Sequence, residues 1–173
     1  MPRKMEVQDY NPEWEREYLL EKNRLQHVLK EVAIKIHHIG STAIPGIKAK
    51  PIIDILIEVT SIDELDELTK EMKELGYEAK GENGIKGRRY FQKGGEARSH
   101  HVHCYLEENE EIRRHLLFRD YLRAFPLKAL EYSKLKEELS AAFLYDPERY
   151  VNGKSEFVRR TDRDALIWGN NKR

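Results

Sequence analysis

The side chains in this 173-residue chain best suited to chemistry sit in short, well-spaced groups. Gly40-Ser41 is one: the glycine lets backbone approach a ligand closely, and the serine can offer its amide and hydroxyl to a phosphate. Asp54 is another, a carboxylate in the middle of the apolar run Ile52 to Val59. A charge there needs a cation, a metal or a hydrogen-bond donor, because burying it alone is costly. Next comes His100-His101-Val102-His103. On a strand, His101 and His103 point to one face and His100 to the other. Two imidazoles so spaced can share a metal; equally, they can make structural hydrogen bonds or lie at a sheet edge. Arg88 and Arg89 carry guanidinium groups whose shape suits a phosphate. The glycines of residues 81–87 precede no Lys-Ser or Lys-Thr pair, so they read as a flexible loop and not a phosphate-binding P-loop.

These groups need elements to hold them. Ile52 to Val59 is rich in β-branched residues and reads as a buried strand. Strands are also expected near 34–39, 88–92 and 100–105, with a short one at Tyr77 to Ala79 and a hairpin turn at Lys93-Gly94-Gly95-Glu96. Asn11-Pro12 marks the start of a helix over about 12–31, with Trp14 as a core anchor. Ile62, Leu65, Leu68, Met72 and Leu75 have helical spacing, with Ser61 or Thr60 as cap and Gly76 as stop. From about residue 109 the pattern is helical, broken at Pro126, at Asp146-Pro147 and at a turn over Asn152-Gly153-Lys154 that leads into a last helix, 155–168. This is an α+β chain: a small mixed sheet with packed helices and a helical C-terminal half. It is read as a single unit spanning 1–173.

Charged residues make up 36% of the chain and cancel to zero net charge, which argues against a general nucleic-acid binder. One cysteine, Cys104, allows no intramolecular disulfide and suits a reducing cytoplasm; its surroundings suggest packing and not reactivity. No apolar run nears the ~20 residues of a membrane span, and Met1 to Tyr10 is polar, so a soluble cytoplasmic protein is expected.

The wording Gly40-Ser41-Thr42-Ala43, Pro45-Gly46 and Lys50-Pro51-Ile52-Ile53-Asp54 resembles the GrpB family, a group placed in the nucleotidyltransferase superfamily. Phe118-Arg119-Asp120-Tyr121-Leu122-Arg123 followed by Pro126 resembles a second signature of that family. The resemblance implies a nucleotidyltransferase-like fold with Gly40 and Ser41 at the nucleotide phosphates. It further implies that Arg119, Lys136 and Lys154 hold phosphate, and that Asp54 binds magnesium or manganese. His101 or His103 would stand in for a carboxylate that the superfamily carries on a later strand. The superfamily pairs two carboxylates two residues apart. Here the best register puts Ile52 at the first place and Asp54 at the second, and the alternative puts Asp54 first and Leu56 second, so one carboxylate is missing either way. Two-metal chemistry needs several oxygen ligands to fix ions about 3.5–4 Å apart.

Two functions follow. One is metal-dependent transfer of a nucleotidyl group, with Asp54 at the reacting centre. The other is a catalytically reduced module that binds a nucleotide or other phosphorylated small molecule. A metal hydrolase built on Asp54, His101 and His103 ranks behind both, because no His-Glu-x-x-His spacing is present. A Ser41/His/Asp54 triad lacks the nucleophile-elbow pattern. The acceptor, the base and the oligomeric state are left open by the residues.

Overall fold

The structure is a computed structural model that describes residues 3–172. Five strands, β1 (Ala33–Ile39), β2 (Ile53–Val59), β3 (Tyr77–Ala79), β4 (Arg88–Lys93) and β5 (His100–Leu106), form one sheet in the order β1-β2-β5-β4-β3. The β2–β5 pairing is parallel and the others are antiparallel, so the sheet is mixed, as expected. β2 lies inside the sheet between β1 and β5 and is covered on both faces, which is why it reads as an apolar run interrupted at Asp54 and Glu58.

On one face, α1 (Glu13–Leu29), α2 (Ile62–Asp66) and α3 (Thr69–Glu74) bring Trp14, Leu25, Leu29, Leu65 and Met72 onto Ile53, Ile55, Ile57, Val102 and Cys104. Trp14 is the core anchor its sequence position suggests, 2% exposed. Cys104 is a buried free thiol. Glu21 of α1 is fully buried and accepts from Tyr77 Oη (2.5 Å) and Lys93 Nζ (2.8 Å), tying the helix to the β3–β4 edge. Burial works against its charge, but the hydrogen bonds from Lys93 and Tyr77 outweigh that and hold its carboxyl below the usual range.

The other face carries Ile39, Leu56 and Tyr105 against Ile112 of α4 (Glu110–Ala124). α5 (Pro126–Ala142) and α6 (Pro147–Asn171) complete the helical C-terminal half. A separate cluster of Ile44, Ile47, Leu122, Ala129 and Tyr132 joins the loop after β1 to α4 and α5.

Two local expectations need correction. Residues 62–75 do not form one helix; the chain breaks at Glu67-Leu68. The Leu68 amide donates back three residues to the Leu65 carbonyl, and the Thr69 hydroxyl takes the Asp66 carbonyl, tightening the turn. The Asn152-Gly153-Lys154 turn does not exist either, since α6 runs through it. A β-carbon on Gly153 would lie 2.4 Å from Leu139 Cδ2, so this glycine is a notch that lets α6 settle on α5. Ser61, by contrast, caps α2 as predicted, accepting from the Glu64 amide at 3.1 Å. Among the described residues, no helix is long and apolar enough to cross a membrane.

Candidate functional site

A cleft of about 500 Å³ opens beside the N-terminal ends of β2 and β5. Gly40, Ser41, Asp54, His101, His103, Lys136 and Lys154 all line it. Arg119 is the expected site residue that does not. It lies in a second cleft on the other side of the Ser41–Ala43 turn, with its Nη1 donating to the His38 carbonyl (3.0 Å) and its Nε to Asp120 (2.9 Å). Arg114, His115 and Phe118 are the α4 residues that face the first cleft.

β1 ends at Ile39, and Gly40 adopts φ 72°, a conformation that favours glycine. The chain then makes a single 3-10 turn, closed by the Ala43 amide donating to the Gly40 carbonyl at 3.1 Å. Thr42 fixes this turn. Its hydroxyl donates to the Ile52 carbonyl (3.4 Å) and accepts from His38 Nε2 (2.9 Å). Burial lowers the His38 pKa to about 4, so this histidine is neutral. Ser41 is left on the cleft side of the turn.

Register places Asp54 opposite His101 and Leu56 opposite His103. His101 and His103 share a strand face, as their spacing requires. His101 Nδ1 stands 3.5 Å and His103 Nε2 3.4 Å from Asp54 Oδ1. Burial pushes the Asp54 carboxyl up, but the two imidazoles outweigh it and hold the group well below the usual carboxylate range. The donors that a carboxylate in an apolar strand demands are therefore these histidines.

Arg88 settles which nitrogen of His103 carries the proton. Its Nη1 lies 3.2 Å from His103 Nδ1, and a guanidinium can only donate. Nδ1 must accept, so Nε2 holds the hydrogen and gives it to Asp54. Arg88 is held in turn by the carbonyls of Glu82 (3.1 Å) and Asn83 (2.8 Å) in the 81–87 loop. Arg89 is occupied elsewhere, in a fork to Asp66 at 2.8 and 3.1 Å. On the far side of His103, His115 Nε2 accepts from Arg114 at 3.1 Å, and burial lowers its pKa to about 3.

Magnesium or manganese fits this arrangement in part. Asp54 suits an ion that takes one carboxylate and fills its remaining positions with ligand phosphates and water. His103 does not suit a metal, since its Nε2 lone pair is used by the proton that Arg88 enforces. Among the described residues, no group of three or more His, Cys, Asp or Glu side chains is arranged to hold an ion.

The opposite wall is cationic. Lys136 is 2% exposed, yet its side-chain nitrogen has no carboxylate partner among the described residues; it donates to the Lys48 carbonyl and lies 4.5 Å from the centre of the Tyr132 ring. Burial, with Lys154 and Lys50 nearby, drives its pKa far down. Lys50 and Lys154 both lie over the Tyr150 ring, at 5.0 and 5.4 Å from its centre. The Tyr150 hydroxyl is buried with no hydrogen-bond partner among the described residues. Among the described residues, none of these three lysines forms a salt bridge. Lys50 and Tyr150 were not singled out from the sequence as site residues, although Lys50 belongs to the motif that ends in Asp54.

Fold and cleft together define an α+β protein with a lysine-lined pocket facing a single carboxylate. The profile of the family described as GrpB protein matches residues 4–164, and the chain belongs to that family. It is 51% identical over 166 residues to UPF0157 protein YqkA of Bacillus subtilis, covering 96% of this chain and 48% of the relative. The chain thus spans about half the length of that relative. It is 36% identical over 154 residues to glutamate-rich protein GrpB of Alkalihalophilus pseudofirmus, covering 86% of this chain and 88% of the relative. The crystal structure of conserved protein GrpB from Enterococcus faecalis superposes with a TM-score of 0.91 at 42% identity, covering 94% of this chain and 98% of that one.

Proposed function

We propose that this cleft binds a nucleotide or another phosphorylated small molecule, in a catalytically reduced relative of the nucleotidyltransferases. One observation carries the reading: Lys136 is buried without a counter-charge among the described residues and shares the cleft with Lys50 and Lys154. An unpaired buried ammonium is expensive, and an anionic ligand supplies what it lacks. Phosphate oxygens offer several acceptors to three donors at once, and the Ser41 hydroxyl and the Tyr150 hydroxyl can add two more.

Metal-dependent nucleotidyl transfer asks for more carboxylate than this cleft provides. Among its lining residues, Asp54 is the sole Asp or Glu. Asp54 would hold magnesium or manganese jointly with the ligand's own phosphates, and such an ion would screen phosphate charge. In the binding module, the Asp54–His103–Arg88 chain instead orients the pocket wall and keeps a negative charge opposite the lysines. The balanced net charge favours a small ligand over a general nucleic-acid strand, and we place the protein in the cytoplasm, where such ligands and a free thiol are at home.

Calorimetric titration of ATP without metal, with magnesium and with manganese tests this reading. Binding in all three conditions is the expected result. Absence of binding in every condition overturns it. Nucleotide incorporation that depends on the metal and disappears in Asp54→Asn would support the transferase in its place.

A further inference from the structure

Lys50 has chemistry that charge neutralisation does not use. It follows Ala49, whose backbone is fixed by a reciprocal pair of hydrogen bonds with Gln8 at 2.8 and 3.0 Å. The side chain runs into the cleft, with Nζ 3.8 Å from Met5 Sδ and 5.0 Å from the centre of the Tyr150 ring. No carboxylate among the described residues pairs with it. The charged groups facing it are Lys154 of α6, Lys136 of α5, Arg3 and Arg98, with Asp54 as the opposing charge. Burial first, then Lys154 and Arg3, lower its pKa to about 7. An amine desolvated beside other cations is poised as a nucleophile, because its lone pair is free near neutral pH.

We propose that Lys50 condenses reversibly with a phosphorylated aldehyde or ketone whose phosphate is seated at Lys136 and Lys154. The proposal rests on the anion-binding reading of this cleft. In the step, the Nζ lone pair forms a bond to the carbonyl carbon, and the carbonyl π electrons move to oxygen, which takes a proton. The nitrogen then loses its two hydrogens as protons while the hydroxyl departs with one proton as water, leaving a C=N bond. Amine and carbonyl give imine and water, with no oxidant or reductant. A carbonyl is the electrophile with which an amine condenses without a cofactor, and the neighbouring ammonium groups restrict the carbonyl compound to an anionic one.

Pyridoxal 5′-phosphate, an aldehyde that carries a phosphate, is the probe. The whole chain is incubated with it near pH 7, reduced with borohydride, digested and mapped by mass spectrometry. Parallel samples use pyridoxal, which has no phosphate, and pyridoxal 5′-phosphate with excess pyrophosphate. At pH 7 an ordinary lysine is almost wholly protonated, so Lys50 should be modified at least about tenfold more than any exposed surface lysine. Pyridoxal should modify it far less, and pyrophosphate should protect it. A label spread evenly over surface lysines, or one that misses Lys50, overturns the proposal. If Lys50 stays unlabelled while ATP still binds, the nucleophile is refuted and the anion site stands. If pyridoxal labels Lys50 as well as its phosphate does, and pyrophosphate gives no protection, the phosphate-anchored step and the anion site are both refuted. Lys50→Arg, with an unchanged melting temperature, should abolish the principal label.

Discussion

A β-carbon on Gly40 would stand 2.6 Å from Oδ2 of Asp54. Sequence reading assigns this glycine to close approach of a ligand. The structure shows that the close approach is to the carboxylate of the neighbouring strand. Gly40 is therefore a packing partner of Asp54 as well as the start of the Ser41 turn.

Gly40→Ala should cost stability twice over, through its positive φ and through this contact, by about 2–4 kcal/mol in total. Gly46 also has a positive φ (84°), but a β-carbon there would meet nothing within 4 Å. Gly46→Ala should lose only about 1 kcal/mol, from backbone strain alone. Urea denaturation of both variants makes the comparison, and equal losses would show that the Asp54 contact has no weight.

Lys136→Met keeps roughly the length of the side chain and removes the buried amine that an anion would charge. Affinity for pyrophosphate should fall at least about tenfold, the loss of one charge-assisted contact. Stability should hold steady or rise, since a buried ammonium without a partner opposes folding. Calorimetry and thermal melting read the two effects separately. A large drop in melting temperature with affinity unchanged would make Lys136 a structural residue.

Lys50 links anion binding to pH. Its folded pKa of about 7 lies below the ordinary lysine value, so between pH 7 and about 10.5 the unfolded chain holds more protons than the folded one. Stability therefore gains from Lys50 as pH rises through that window and loses that gain as pH falls to 7. A bound anion reverses the shift, so binding above pH 7 must take up a proton. Sulfate, whose own charge does not change in this range, should bind more weakly by up to about tenfold per pH unit above 7. Titrations in buffers of differing ionisation enthalpy should register the proton. Lys50→Arg should make the profile shallower, and a flat profile in the unaltered chain would rule out this linkage.

The Arg88–His103–Asp54 chain fixes a tautomer. Nitrogen-15 spectra should show His103 with Nε2 protonated and Nδ1 bare at neutral pH. Arg88→Met removes the donor that enforces this state, so Nδ1 should become protonated in a measurable fraction of molecules. Finding Nδ1 protonated in the unaltered chain would contradict the arrangement.

Glu21→Gln should destabilise the chain by about 1–3 kcal/mol, because Lys93 and the Tyr77 hydroxyl would lose a charged acceptor. The carboxyl is held below its usual value, so its contribution is complete above the unfolded pKa of about 4.3 and is lost as pH falls through the folded one. Acid unfolding should begin at lower pH in Glu21→Gln, relative to its own neutral stability, than in the parent.

Ile52 to Val59 could be read as a strand because β2 is buried on both faces, and the shared face of His101 and His103 followed from strand geometry alone. Other features have no local signature. Lys50 is a loop lysine and Tyr150 a helix tyrosine; they meet because α6 docks over the loop before β2. Arg119 shows the limit on a helix. Its signature marks it as special, but α4 separates two clefts, and helical spacing does not say which one a given side chain enters. Gly153 misled in the opposite sense: it looks like a turn, yet it is a notch for Leu139. The split at Leu68 carries no clear local signal, since Thr69, whose hydroxyl donates to the Asp66 carbonyl there, is a residue that helices commonly carry.

The parallel pairing of β2 with β5 also bears on when the pocket comes into being. Asp54 and His101 become neighbours once the whole segment between them, two helices and the β3–β4 strand pair, has been folded back. Closing so long a loop is entropically slow compared with forming the adjacent β1–β2 and β4–β5 hairpin pairings. The lysine wall waits on the docking of α5 and α6 from the far end of the chain. Ligand capacity is thus a property of the completed molecule, and a bound phosphate would stabilise the native chain without recruiting its partly assembled forms.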